Sequence, residues 1–195
     1  MIDQKEVIRF FNTLAPRWDG DMIRSDEIIN CILNNAHITD GSRVLDVACG
    51  TGVLIPDYLA RNVESITAID ISPEMIRIAE GKAHPDNVRF LCGDVELTDV
   101  GQDFDAIVVY NAFPHFPDGA RLIRHLSDLL KSGGTLTVAH GMSREAIDKH
   151  HCGAAKHVSN GLMRAEELAS IFSESLDVTT VISTDAMYQV TGTKP

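Results

Sequence analysis

The segment Val44-Leu45-Asp46-Val47-Ala48-Cys49-Gly50-Thr51-Gly52 carries the clearest chemical signal in the chain. A short apolar run ends there in a glycine-rich turn that opens onto a helical pattern. Gly50 and Gly52 let the backbone approach a ligand without an intervening Cβ. The free N–H groups of the helix start then attract the ligand's polar atoms. The turn alone is a weak mark, because short glycine-rich sequences occur in many tight turns. Three further segments strengthen it. Asp70 ends the next apolar run, 18 residues after Gly52, and Ile71 follows it. A carboxylate there can accept hydrogen bonds from both hydroxyls of a ribose. Gly93-Asp94-Val95 ends a third run, where Asp94 suits the amino group of a nucleobase and Val95 its ring. Asn111 ends a fourth, at the reacting end of the expected ligand. Asp46 is placed to organise the glycine loop or its waters. Plainer roles exist for some of these residues: Asp70 and Asp94 each suit a helix cap, and Cys49 suits a small packing position.

Of the eight histidines, five, His115, His140, His150, His151 and His157, fall in segments expected around an acceptor. His115 lies just past the fourth apolar run and His140 ends the fifth. Neutral imidazole can act as a base or bind a metal. One reading leaves these residues in solvent or at helix ends. A second makes His115 or His140 a base or hydrogen-bond partner for an acceptor. A third builds a metal site from His150, His151 or His157 with His140 or Cys152. No H-x-x-x-H or C-x-x-C spacing supports that third reading, so no metal is expected.

The elements that must position these residues follow from the alternation of apolar runs and helical patterns. Strands are expected at Arg43–Val47, Ser65–Asp70, Asn87–Cys92, Phe104–Tyr110 and Thr135–His140. Helices are expected at Leu54–Asn62, Pro73–Lys82 and Gly119–Leu130, with Ser72 and Pro73 as a good start for the second. Gly133-Gly134 reads as the turn into the fifth strand. Strands alternating with helices imply right-handed crossovers and a mostly parallel sheet. The tail departs from this. A helix at Arg164–Ser175 precedes strands at Val178–Ser183 and Met187–Thr193, joined by a short turn at Thr184-Asp185 that demands antiparallel pairing. The expected fold is an open α/β sheet, Rossmann-like, with a C-terminal antiparallel hairpin. A single domain is expected: residues 1–40 a helical lid, 41–140 the ligand-binding core, and 141–195 the substrate-side connection and hairpin.

Composition narrows the class of partner. At 195 residues, 44% hydrophobic and 23% charged, the chain is typical of a soluble domain. Its formal net charge is -11, and no run of lysine or arginine stands out, so no nucleic-acid partner is expected. No apolar run is long enough to span a membrane, and the first residues lack the pattern of a secretory signal. The four widely spaced cysteines read as reduced thiols in a cytoplasmic protein.

Taken together, these motifs resemble those of class I S-adenosylmethionine-dependent methyltransferases, in the small-molecule branch that includes the ubiquinone/menaquinone-type enzymes. The resemblance runs through Val44–Gly52, Ile69-Asp70-Ile71-Ser72, Gly93-Asp94-Val95 and Leu130-Lys131-Ser132-Gly133-Gly134-Thr135-Leu136. Phe11-Asn12-Thr13-Leu14-Ala15-Pro16-Arg17-Trp18-Asp19 is similar to the branch's N-terminal lid segment. It extends to about Ala139. It implies a seven-stranded sheet, S-adenosylmethionine as cofactor, and in-line methyl transfer to a small-molecule acceptor. Asp46, Ala48, Cys49, Gly50, Gly52, Asp70, Ile71, Asp94, Val95 and Asn111 would bind the cofactor, with His115 or His140 at the acceptor. A homodimer is left open, as is a cofactor-binding regulator or partner subunit without catalysis. A nicotinamide-dependent oxidoreductase is disfavoured because the turn lacks G-x-G-x-x-G. Two departures stand out: Ala48 where many relatives have glycine, and Glu174-Ser175-Leu176 where the branch often has Ala-Gly-Phe.

Overall fold

A computed structural model describes residues 2–151 and 155–195, the side chains of His150 and His151 excepted. In chain order the helices and strands are α1 (Gln4–Leu14), α2 (Trp18–Asp21), α3 (Asp26–Asn35), β1 (Arg43–Val47), α4 (Ile55–Leu59), β2 (Ser65–Asp70), α5 (Pro73–Glu80), β3 (Val88–Cys92), β4 (Phe104–Tyr110), α6 (Gly119–Leu129), β5 (Leu130–His140), α7 (Arg144–His151), α8 (Ala165–Phe172), β6 (Asp177–Ser183) and β7 (Tyr188–Thr193). Short 3-10 turns at Ala15–Arg17, Phe113–His115 and Lys156–Val158 join some of them. Local chemistry sets several helix starts. Ser72 Oγ accepts from the Met75 N–H with Pro73 behind it, and the Asp118 side chain accepts from the Arg121 N–H.

The seven strands form one sheet in the order β3-β2-β1-β4-β5-β7-β6. The first five run parallel, and β7 is antiparallel to both of its neighbours, β5 and β6. The chain order reverses between β1 and β4, so the crossovers leave in opposite directions and open a crevice above the strand ends. Alternation along the strands feeds two apolar layers. Leu45, Val47, Ile107 and Val109 face α6 and α8, while Val44, Ile66, Ala68 and Val108 face α3, α4 and α5. Each fully buried large aliphatic side chain contributes roughly 1.5–3 kcal/mol. Among the described residues no helix is long and apolar enough to cross a membrane.

Two expected elements differ. The helix after the glycine turn covers only Ile55–Leu59, because the chain turns away at Asn62, whose φ is 53°. The fifth strand begins at Leu130, not Thr135, and takes Gly133-Gly134 into an irregularity within it: Phe104 pairs with Leu130, but Ala106 pairs with Thr135. Gly133 N–H donates to the Lys194 carbonyl and Lys194 N–H to the Gly134 carbonyl, both at 2.8 Å. A Cβ on Gly134 would lie 2.7 Å from the Phe104 carbonyl oxygen and 3.0 Å from that of Lys131. Backbone cannot move aside cheaply, so Gly134→Ala is expected to lower stability by about 2–3 kcal/mol. Gly133→Ala meets open space and only the strain of φ +79°, an expected loss of about 1 kcal/mol. Urea unfolding midpoints of the two variants check this; equal losses would contradict the clash.

Candidate functional site

The loop after β1 is built from three left-handed residues: Ala48 at φ 56°, Gly50 at 57° and Gly52 at 81°. Glycine adopts such angles freely. Ala48 does so at a cost of about 1–2 kcal/mol, which the surrounding bonds must offset. Those bonds come from β2. Cys49 N–H donates to the Ile69 carbonyl at 3.0 Å. Gly50 N–H donates to Asp70 Oδ2 and Ser72 N–H to Asp70 Oδ1, each at 2.8 Å. Asp70 thus clamps the glycine turn and the start of α5 together. Burial raises its pKa and the two N–H bonds partly offset that rise. Each carboxylate oxygen keeps a second lone pair, the capacity that two ribose hydroxyls require.

Asp46 stands directly below. It is 2% exposed, and its Oδ2 has no hydrogen-bond partner among the described residues. Burial first, then the charge of Asp70, pushes its pKa up to about 8, against an opposing effect of the Tyr58 hydroxyl. A buried carboxyl oxygen without a partner is expensive. Cys49 is buried beside it, and burial together with the Asp46 and Asp70 charges lifts its thiol well above the ordinary value. It stays a neutral packing residue.

The crevice holds about 1080 Å³ of empty space, its open mouth included. Asp46, Ala48, Cys49, Gly50, Asp70, Ile71, Asp94, Val95, Asn111 and His115 all line it. Gly52 sits one turn behind, its missing Cβ leaving room for Ile55 at 3.2 Å. Asn111 at φ 55° also ties two strand ends together: its N–H donates to the Ala139 carbonyl and its Oδ1 accepts from Gly141 N–H. No lysine or arginine is among the described residues that line the crevice.

The N-terminal helices cover this crevice through Gln4, Val7, Phe11, Trp18 and Met22. Phe11 packs edge-on against both Trp18 and His115, at 5.8 and 4.9 Å between ring centroids. Three polar clasps fasten the cover. Gln4 Nε2 donates to Asp94 Oδ2 at 2.6 Å. Asn12 Oδ1 accepts from Ser72 Oγ at 2.7 Å and from Glu74 N–H at 3.3 Å. Asp19 pairs with Lys82 at 2.8 Å and accepts from Thr51 Oγ1, while Lys82 also donates to the Thr51 carbonyl. Burial raises the Asp19 pKa, but the Lys82 and Thr51 bonds outweigh it and leave the group below its ordinary value.

The histidines separate. His115 Nδ1 lies 2.7 Å from the Val158 carbonyl oxygen. A carbonyl only accepts, so Nδ1 carries the hydrogen and the neutral ring has its lone pair on Nε2. His140, expected at the crevice, does not line it. Strand alternation puts its ring on the side of Leu136 and Val138, where it is 2% exposed and meets Tyr188 edge-on at 5.9 Å. His157 packs on Phe10. Cys152 and the side chains of His150 and His151, the core of the metal reading, lie outside the described residues. Asn12 and Asp19 lie in the lid segment, but their contacts, like those of Gln4 and Lys82, have no sign in the sequence, because nothing near these residues signals partners 60, 32, 90 and 31 residues away.

A doubly wound sheet whose reversal point carries a glycine turn and two carboxylates defines a Rossmann-like binder of a nucleoside-containing cofactor. The comparisons with known proteins say which kind. Residues 44–134 match the family described as "Methyltransferase domain". A malonyl-[acyl-carrier protein] O-methyltransferase of Acetivibrio thermocellus is 34% identical over 139 residues, 70% of this chain and 49% of that protein. A ubiquinone biosynthesis O-methyltransferase of Coxiella burnetii is 31% identical over 143 residues, 69% of this chain and 61% of that one. The chain thus spans about half to three fifths of these relatives. The N-methyltransferase NodS from Bradyrhizobium japonicum WM9, solved with S-adenosyl-L-homocysteine, shares the fold at a TM-score of 0.74 and 17% identity, over 97% of both chains. The chain belongs to the class I S-adenosylmethionine-dependent methyltransferases. The residues present fit that cofactor: a carboxyl group at Asp46, one oxygen of which has no partner among the described residues, on the crevice wall, and a glycine cradle clamped by Asp70.

Proposed function

We propose that this protein transfers the methyl group of S-adenosylmethionine to a small-molecule acceptor. The observation that carries this reading is the covered crevice formed by the ends of β1, β2, β3 and β4, with Asp46, Asp70, Asp94 and His115 all opening onto it. The bound cofactor supplies a methyl group already activated on a sulfonium, so the chain's work is to bind, align, exclude water and move a proton. Asp46 takes the ammonium group of the methionine portion, Asp70 the ribose hydroxyls and Asp94 the base. The helices of residues 1–40 act as a lid, with Phe11 and Trp18 closing over the reacting end. His115 Nε2 accepts the proton of the acceptor, and the Val158 carbonyl holds the ring in the tautomer that allows it. With no lysine or arginine on the crevice wall and three carboxyl groups inside it, an acceptor without an anionic group fits best.

Calorimetry with S-adenosylhomocysteine, followed by transfer of labelled methyl from the cofactor into a small-molecule extract, tests the reading. Binding and transfer are both expected. Tight binding without any transfer would turn the protein into a cofactor-bound regulator. His115→Ala is expected to cut turnover by about 10²–10⁴-fold while the affinity for S-adenosylhomocysteine stays within about threefold. Unchanged turnover would remove the base.

A further inference from the structure

We propose that Gln4 reads the adenine of the cofactor, its carbonyl Oε1 and Asp94 together accepting both N–H groups of the exocyclic amino group. The inference rests on the assignment of Asp94 to the base, and it adds a selecting residue from the N-terminal helix that no motif contains. Gln4 is half-buried and lines the crevice with Gly93, Asp94, Val95 and Ile71. Its Nε2 donates to Asp94 Oδ2 at 2.6 Å, and the Glu96 N–H donates to the other oxygen at 3.0 Å. A carboxylate oxygen only accepts, so the amide is oriented without ambiguity: nitrogen toward Asp94, carbonyl away from it.

The chemistry of the pair follows from that orientation. With one of its two N–H groups engaged on Asp94 and the amide nitrogen held there, Gln4 keeps Oε1 as its acceptor. Asp94 offers the second lone pair of each oxygen, another acceptor. Two acceptors side by side match an amino group bearing two N–H donors. They oppose a 6-oxo purine, whose carbonyl would face both without a hydrogen between them. Asp94 alone can take one N–H and leaves the second unread, so Gln4 adds selection beyond the carboxylate. The seat of Gln4 is also fixed independently, because Asn12, two turns along the same helix, is held by Ser72 Oγ and Glu74 N–H. Base identity and lid position are thereby linked through α1.

Calorimetry on the full chain with S-adenosylhomocysteine and with its 6-oxo counterpart, S-inosylhomocysteine, decides the matter. The wild-type protein is expected to prefer the adenosyl compound by at least about tenfold. Gln4→Ala, and the length-matched Gln4→Met, are expected to lose about tenfold in affinity for S-adenosylhomocysteine and less than twofold for the 6-oxo compound, so that the preference collapses. Variants that bind S-adenosylhomocysteine as tightly as wild type, or more tightly, would overturn the proposal and make Gln4 a plug that the base displaces. Failure of the wild-type protein to bind S-adenosylhomocysteine would instead overturn the assignment of Asp94 on which the inference stands.

Discussion

Cofactor affinity is expected to rise about tenfold for each pH unit between roughly pH 6 and pH 8, with close to one proton released per cofactor bound. The cause is Asp46, whose carboxyl is held protonated up to about pH 8 by burial and by the neighbouring Asp70. An ammonium group binds the ionised form, so below pH 8 each binding event must first expel the proton. Above pH 8 the rise stops, because the carboxyl is already ionised and an α-amino group, with an ordinary pKa near 8, begins to lose its own charge. Calorimetry in two buffers of different ionisation enthalpy counts the proton directly. A flat pH profile with no proton released would remove Asp46 from the binding site.

The same group makes the opposite prediction for stability. In the unfolded chain Asp46 ionises near pH 4, while in the fold it stays protonated to about pH 8. Folding therefore takes up a proton in that window, and Asp46 lowers stability progressively as pH rises from 4 to 8, by at most about 1.4 kcal/mol per unit. Asp46→Asn stays neutral at every pH and removes that slope. It is expected to raise the unfolding temperature of the cofactor-free protein at pH 7 while weakening cofactor binding by tenfold or more. A residue that destabilises the free protein and tightens its complex is serving the ligand, not the fold.

Asp70→Ala is expected to act oppositely on stability and in the same direction on binding: a stability loss of about 2–4 kcal/mol and a fall in cofactor affinity of at least about a hundredfold. The Gly50 and Ser72 N–H groups would lose their acceptor in a largely buried turn, at about 1–3 kcal/mol each when unsatisfied. The glycine cradle and the start of α5 would then drift apart, and the ribose hydroxyls would lose their carboxylate. Because Asp70 is also the second cause of the high Asp46 pKa, this variant should lower the pH at which any residual binding saturates. Denaturant midpoints and titrations across pH measure all three effects. A variant that keeps its affinity within threefold would contradict the clamp.

Much of this site is legible in the sequence because it is local. Val44–Gly52, Asp70, Gly93-Asp94-Val95 and Asn111 each end a strand, and parallel strands with short crossovers leave their carboxyl ends on one edge. The limits arise where the deciding contact is distant. His140 ends its strand as expected, yet the two-residue period of β5 turns the ring to the Leu136 face, a register that depends on the glycine irregularity at Gly133-Gly134. The contacts of Gln4 and Asp19 carry no local mark, because their partners arrive only when α1 and α2 close over the sheet. The double duty of Asp70 is likewise invisible until the backbone N–H groups it holds are in place.

The single antiparallel strand separates the order of synthesis from the order of assembly. β6 leaves the ribosome before β7 but sits outside it, so it has no edge to pair with until the later strand has docked on β5. The strands that bear the cofactor residues need no such wait: β1 to β4 are contiguous in the sheet and emerge first. The ligand crevice therefore depends on β1 to β5 and not on the β6–β7 hairpin, so cofactor can bind and stabilise the sheet before that hairpin docks.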